Sequence, residues 1–167
     1  LDIVLVLDQS GSMENNLSQL KTAVTNFINT ITADATEHNV DHRIAVVGFA
    51  SGNSWGDEYY RNTELFIGAT QYNYMKDGNG STHNSDGNLA ANHYTEAFQT
   101  VTDAAGKSNL TQSIENLAAK GGTHPELGMK MANGIFAANP DTTRTRQRIV
   151  VMFTDGNPGN YSTEFDK

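Results

Sequence analysis

Five consecutive apolar residues, Ile3-Val4-Leu5-Val6-Leu7, stand almost at the start of the chain and run into Asp8. A strand with no polar alternation buries both faces, which is the situation in parallel sheets covered by helices on either side. A second run of this kind, Ile149-Val150-Val151-Met152-Phe153, ends on Thr154 and Asp155. Leu17, Leu20, Val24, Phe27, Ile28, Ile31 and Ala35 then form one helical stripe opposite Asn16, Gln19, Lys21 and Asn26, which predicts an amphipathic helix over about residues 15–36. Another strand is predicted at Arg43 to Ala50, around Ile44-Ala45-Val46-Val47-Gly48-Phe49. Strand, helix and strand in this order make a βαβ unit, so the first two strands are expected to be parallel neighbours. The fold class that follows is α/β: a Rossmann-like, doubly wound, mostly parallel sheet flanked by helices.

The 167 residues suit a single domain. From Ser51 to about Glu96 the composition turns to Gly, Asn, Ser and Tyr, and this span is read as an inserted arm with one short strand at Glu64 to Ile67. Its centre, Lys76 to Asn88, has no apolar side chain to offset the entropy of ordering. A short third strand is predicted at Ala97 to Thr102. Leu110, Ile114, Leu117 and Ala118 predict a second helix ended by Gly121-Gly122. After Thr123, Pro125 suits a first helical turn, and Leu127, Met131, Ala132 and Ile135 predict a third helix, with Gly128 and Gly134 expected to let it approach a neighbour closely.

Composition excludes several functions. A formal net charge of −8 argues against nucleic acid or an anionic membrane as partner, and no run of eighteen apolar residues is present for insertion into a bilayer. Arg144, Arg146 and Arg148 form the only basic group, read as a solvated approach to the last strand. Cysteine is absent, which removes disulfides, thiolate chemistry and Cys-ligated zinc.

What remains is an oxygen-rich constellation. Asp8, Ser10 and Ser12 follow the first strand at i, i+2 and i+4, Thr123 precedes the third helix, and Asp155 follows the last strand. In open α/β sheets ligands sit beyond the carboxyl ends of the strands, where strand order reverses. Each residue has a plainer reading alone: Asp8 and Ser10 as helix caps, Thr123 as a cap before Pro125, Asp155-Gly156 as a turn. Together, two carboxylates and three hydroxyls suit a hard divalent cation, Mg²⁺ first, with Mn²⁺ or Ca²⁺ as alternatives.

"DQSGSM", "GGT" and "VVMFTDG" resemble the DxSxS, Thr and Asp elements of the von Willebrand factor A (vWA) domain, which form its metal-ion-dependent adhesion site. The resemblance runs from residue 1 to about 160 outside the insertion at 51–96, and implies one vWA domain over 1–167. It implies that Ser10, Ser12 and Thr123 bind the metal through hydroxyls, Asp8 and Asp155 mostly through water, and that an Asp or Glu of a protein partner completes the shell. The long insertion is similar to those of Gram-positive pilus-tip and surface adhesins, which implies an extracellular location on the cell wall or a pilus and a partner such as a host matrix or surface protein. His124 stands where that family more often has Asn or Asp and is read as an exposed loop residue. The resemblance also implies two further strands and a helix after Asp155, beyond Lys167, so the chain reads as incomplete at that end, and the last strand's edge is expected to self-associate or to take its missing strands from another copy or a separate chain.

An intracellular A domain docking to an ATPase or chelatase complex is the alternative. No enzyme is expected. Haloacid-dehalogenase-type phosphatases need a second carboxylate where this chain has Ser10; a serine hydrolase lacks its G-x-S-x-G and a His after Asp155; and no P-loop sequence occurs.

Overall fold

The structure, a computed structural model, describes residues 1–50, 54–55, 58–59, 64–67, 70–73, 97–119, 122–123, 125–143 and 145–156, with the backbone alone over 54–73 and at Leu127. The stretch Lys76 to Asn88, Gly121, His124 and Arg144 therefore lie outside the described residues. Strand β1 (Asp2–Asp8) passes through a 3₁₀ turn (Gly11–Asn15) into helix α1 (Leu17–His38), which leads to β2 (Arg43–Phe49). Then follow β3 (Ser54–Trp55), β4 (Glu58–Tyr59), β5 (Glu64–Ile67), β6 (Thr70–Asn73) and β7 (Gln99–Thr100). Helices α2 (Ala104–Glu115) and α3 (Pro125–Ala138) precede β8 (Arg148–Phe153).

The main sheet has the order β6-β5-β2-β1-β8, with β1 parallel to both β2 and β8. Every residue of β1 is buried, as its apolar run requires. Ile3, Leu5 and Leu7 point to one face, where they pack with Leu20, Val24 and Ile28 of α1 and Leu110 and Ile114 of α2. Val4 and Val6 point to the other, against Met131, Ala132 and Ile135 of α3. Helices thus cover both faces. The chain leaves β1 toward β2 but reaches β8 on β1's other side, which makes the β1/β8 boundary the switch point of the sheet.

Several expectations change. Residues 64–67 and 70–73 are not an appendage: β5 pairs antiparallel with Val46 to Gly48 of β2, and β6 pairs with β5, so part of the span read as an arm extends the main sheet. The third strand shrinks to β7, which pairs antiparallel with Arg43 and Ile44, using the amino-terminal half of the β2 edge that β5 leaves open. The second helix starts earlier, where Asp103 accepts the Gly106 N–H at 3.1 Å, and ends before Leu117. The last strand is not doubly buried: β8 ends the described strand order, and Ile149 and Met152 are exposed.

Arg146 and Arg148, the described arginines of the group before β8, are not simply solvated either. Asp2, buried at the start of β1, accepts from Arg43 at 2.8 and 2.9 Å and from Arg146 at 3.2 Å, and Arg146 also pairs with Asp41. Burial opposes ionisation of Asp2, but the Arg43 hydrogen bonds and both guanidinium charges outweigh it and hold its pKa below the ordinary value. Arg148 donates to the carbonyls of Phe136 and Asn139 at the end of α3 and lies over the Phe136 ring. Asp141 closes the turn between them by accepting from the Arg146 N–H and from Thr143, which depresses its pKa from 3.8 to about 2.

Helix α3 lies close on the sheet at Gly128, where a Cβ would sit 2.6 Å from the Val6 side chain and 3.1 Å from that of Phe49. Gly128→Ala is therefore expected to destabilise the fold by about 1–3 kcal/mol in urea denaturation, the usual penalty for overpacking. Because folding lowers the Asp141 pKa, its contribution is complete above 3.8 and is lost as pH falls toward about 2. Asp141→Asn is expected to shrink the fall in urea midpoint between about pH 5 and about pH 2.5 and to leave the profile above that window unchanged in shape.

Candidate metal centre

Where β1 ends, the backbone turns over its own carboxylate. The Gln9 N–H donates to the Phe49 carbonyl at 2.8 Å, which holds the turn against the end of β2. The Ser10 N–H donates to Asp8 Oδ1 at 2.8 Å, and the Ser10 and Ser12 hydroxyl oxygens lie 3.0 Å apart. Met13, 4% exposed, anchors the 3₁₀ turn in the core, and its N–H donates to the Ser10 carbonyl. Asp8 and Ser10 are buried while Ser12 is exposed, so the serine pair runs from the interior to the surface. Neither Asp8 nor Ser10 caps α1. Asn16 occupies that position, and Ser10 stands at the cap of the 3₁₀ turn, neither with a side-chain capping bond.

Strand β8 closes the other side. Leu7 is level with Phe153 in the parallel register, so Asp8 meets Thr154 across the strand ends, and the Thr154 hydroxyl donates to Asp8 Oδ2 at 2.7 Å. The Gly156 N–H in turn donates to Thr154 Oγ1 at 3.1 Å, turning the chain so that Asp155, which is exposed, follows at the same edge. Thr154 is a residue that the sequence reading counted as strand and passed over. The signal was available: both apolar runs are five residues long, so pairing them level puts Asp8 opposite Thr154.

Thr123 is buried, 5% exposed, two residues before α3. Among the described hydrogen bonds none joins it to Ser10 or Ser12; the contacts that are described unite Asp8, Ser10, Ser12 and Thr154. No three His, Cys, Asp or Glu side chains cluster among the described residues, so a cation held here would draw on hydroxyls and at most two carboxylates. That donor set fits Mg²⁺. Adjacent oxygens of an octahedral shell at 2.0–2.1 Å from the metal are about 2.9 Å apart, and the serine oxygens, which share a hydrogen bond, are separated by a compatible 3.0 Å. Both oxygens of Asp8 already accept hydrogen bonds, which suits a carboxylate acting through water rather than by direct ligation.

The pattern of the von Willebrand factor type A domain matches residues 2–97, more than half of the chain. The chain belongs to the von Willebrand factor type A family. The matched part of this A domain carries Asp8, Ser10 and Ser12, while Thr123 and Asp155 lie past it. Among solved structures it is similar to the pilus adhesin SpaC from Lactobacillus rhamnosus GG in its open conformation, with 22% identity, a TM-score of 0.58, and coverage of 95% of this chain and 15% of that one. It is also similar to the three N-terminal domains of the type V pili tip protein Mfa5 from Porphyromonas gingivalis, with 20% identity, a TM-score of 0.54, and coverage of 98% and 22%. At such identities the likeness is one of fold, and the chain spans less than a quarter of either pilus protein. Comparison with the curated proteins finds no match.

The hydrogen bonds of Asp8 set it apart from Ser12 in what its replacement costs the fold. Asp8→Ala strands the Ser10 N–H and the Thr154 hydroxyl, whereas Ser12 is exposed. In urea denaturation Thr154→Val is expected to cost about 1.5–3 kcal/mol, as for a bond to a charged group, Asp8→Ala at least as much, and Ser12→Ala under about 1 kcal/mol.

Proposed function

We propose that this A domain is an adhesion module that holds a divalent cation at the carboxyl ends of β1 and β8 and uses it to capture an acidic side chain of a protein partner. Ser10, Ser12 and Thr123 would be the hydroxyl ligands, and Asp8 and Asp155 would act through water. The observation that carries the reading is the serine pair at the spacing of neighbouring octahedral ligands, beside an Asp8 whose oxygens are committed to Ser10 and Thr154. Mg²⁺ is the first candidate because it prefers a small all-oxygen set and keeps several waters; Mn²⁺ and Ca²⁺ accept the same donors. When bound, the cation supplies a positive centre with a coordination position for a partner's carboxylate.

Charge supports this division of labour. A chain of net charge −8 repels an acidic partner at long range, so attraction to a carboxylate has to come from a local positive centre. The likeness in fold to a pilus adhesin and a pilus-tip protein supports a place on a cell surface or pilus. Among the described residues no helix is long and apolar enough to cross a membrane. A phosphatase reading gains no support, because the position two after Asp8 is a serine bonded to another serine rather than a carboxylic acid, and the module is proposed to be no enzyme.

Titration calorimetry of the chain with Mg²⁺ and Mn²⁺ tests the reading. One cation per chain is expected, with affinity at least about tenfold weaker in Ser12→Ala and in Thr123→Ala, a loss equivalent to about 1.4 kcal/mol. On immobilised matrix proteins, capture is expected with Mg²⁺ and not with EDTA. Uptake unaffected by both substitutions, or capture that survives EDTA, would falsify it.

A further inference from the structure

Between the aspartate and the serines of the metal loop lies Gln9, a residue the constellation leaves out. It is 0% exposed, as deeply buried as Asp8 before it. Its backbone is fixed by the N–H to the Phe49 carbonyl. Its Oε1 accepts the N–H of Ala118 at 3.2 Å, a contact across 109 residues of sequence. Because a backbone N–H can only donate, the atom it meets must be the amide oxygen, and the orientation of the amide follows from chemistry. The Nε2 of Gln9 is then left buried without an acceptor, and it is the one side-chain atom among the described residues in that position.

An unpaired buried donor destabilises a fold, and a methionine of similar volume would fill the same space without that donor, at the loss of the acceptor for the Ala118 N–H. Packing therefore does not account for a glutamine here. Its one described side-chain bond does. Ala118 follows Leu117, which is 2% exposed and seated in the core beneath α1 and α2, and the chain leaves Ala118 toward Thr123, five residues on. Gln9 thus ties the loop that carries Ser10 and Ser12 to the segment after α2, at Ala118, five residues before Thr123.

We propose that Gln9 is the positioning residue of the cation site: by holding Ala118 it sets where the connection to Thr123 runs relative to the serine hydroxyls. The inference rests on the metal reading above. Its chemistry is that of pre-organisation, since hydroxyls are weak ligands and gain affinity when their spacing is fixed before the cation arrives. Loss of the tie should weaken cation binding without weakening the fold.

The test measures Mn²⁺ affinity by calorimetry and the thermal midpoint for the unmodified chain, Gln9→Met, Gln9→Leu, Ala118→Pro, which removes the donor N–H, and Gln9→Met with Ala118→Pro. Expected is a Gln9→Met protein with a thermal midpoint close to that of the unmodified chain, because relief of the unpaired Nε2 offsets the lost Ala118 bond, that binds Mn²⁺ about five- to tenfold more weakly, as for one lost hydrogen bond. Adding Ala118→Pro to it should change affinity no further, because both substitutions break the same bond. Gln9→Met with unmodified affinity overturns the inference and leaves the metal reading standing, as does full additivity in the double variant. Should Ala118→Pro not fold, Gln9→Met and Gln9→Leu decide alone: a loss of stability in proportion to the loss of affinity means a structural role only and overturns the proposal. An unmodified chain that takes up no Mn²⁺ overturns the metal reading and this inference with it.

Discussion

The full burial of β1 governs the rest of the molecule. Its side chains alternate between two apolar layers, and its backbone is hydrogen-bonded on both edges, to β2 and to β8. A strand bonded on both sides and packed on both faces has no freedom to shift, and a slip of one residue would exchange its two faces. Whatever follows Leu7 is consequently delivered to one place. Asp8, with no exposed surface, is carried past the apolar layers still hydrogen-bonded, to Ser10 on its own chain and to Thr154 on the neighbouring strand. Few arrangements let a carboxylate be buried so near a core, and this one works because each of its oxygens meets a donor.

That constraint also places the hydroxyls of the candidate site on stiff supports. A hydroxyl offers a cation little on its own, so its position has to be fixed in advance by the protein. Ser10 is fixed by its backbone bond to Asp8, the 3₁₀ turn is fixed by Met13 in the core, and Gln9 is fixed at both backbone and side chain. On the opposite side α3 is brought close to β1 and β2 by the missing Cβ of Gly128. The far end of the sheet is held differently, by Asp2 with Arg43 and Arg146 and by Arg148 on the end of α3. The ion pairs therefore gather at the amino-terminal ends of β1 and β8, and the oxygen donors at their carboxyl ends.

Much of this was legible from local pattern. An apolar run five residues long announces a buried strand, a 3.6-residue stripe announces α1, and the order of the two announces a parallel pair. Asp8, Ser10 and Ser12 could be singled out because three oxygen-bearing side chains at alternate positions follow a strand end, and the structure does bring them together. Where reading failed, the deciding contact was distant in sequence. The strand at Glu64–Ile67 was legible from its apolar residues, but the polar composition between Ser51 and Glu96 hid β6 and hid that β5 pairs with β2 and so joins the main sheet. The helix before Leu117 was shifted because Asp103, a cap, was outweighed by the apolar residues further on. Arg146 and Arg148 looked solvated because their partners, Asp2 and the end of α3, are remote along the chain.

By itself, then, the sequence determined the fold class and the three-residue loop of donors, since hydrophobic periodicity and i, i+2 spacing are properties of a continuous stretch of chain. Tertiary structure alone decided which face of the molecule that loop joins and what stands across from it. Thr154 became a partner of Asp8 only through the register of β1 with β8, and Gln9 became a tether only because the segment after α2 returns to within 3.2 Å of it. Both are hydrogen bonds between parts of the chain more than one hundred residues apart. No local pattern encodes such a bond: its donor and acceptor come within reach only after the apolar layers have packed and closed the distance between them.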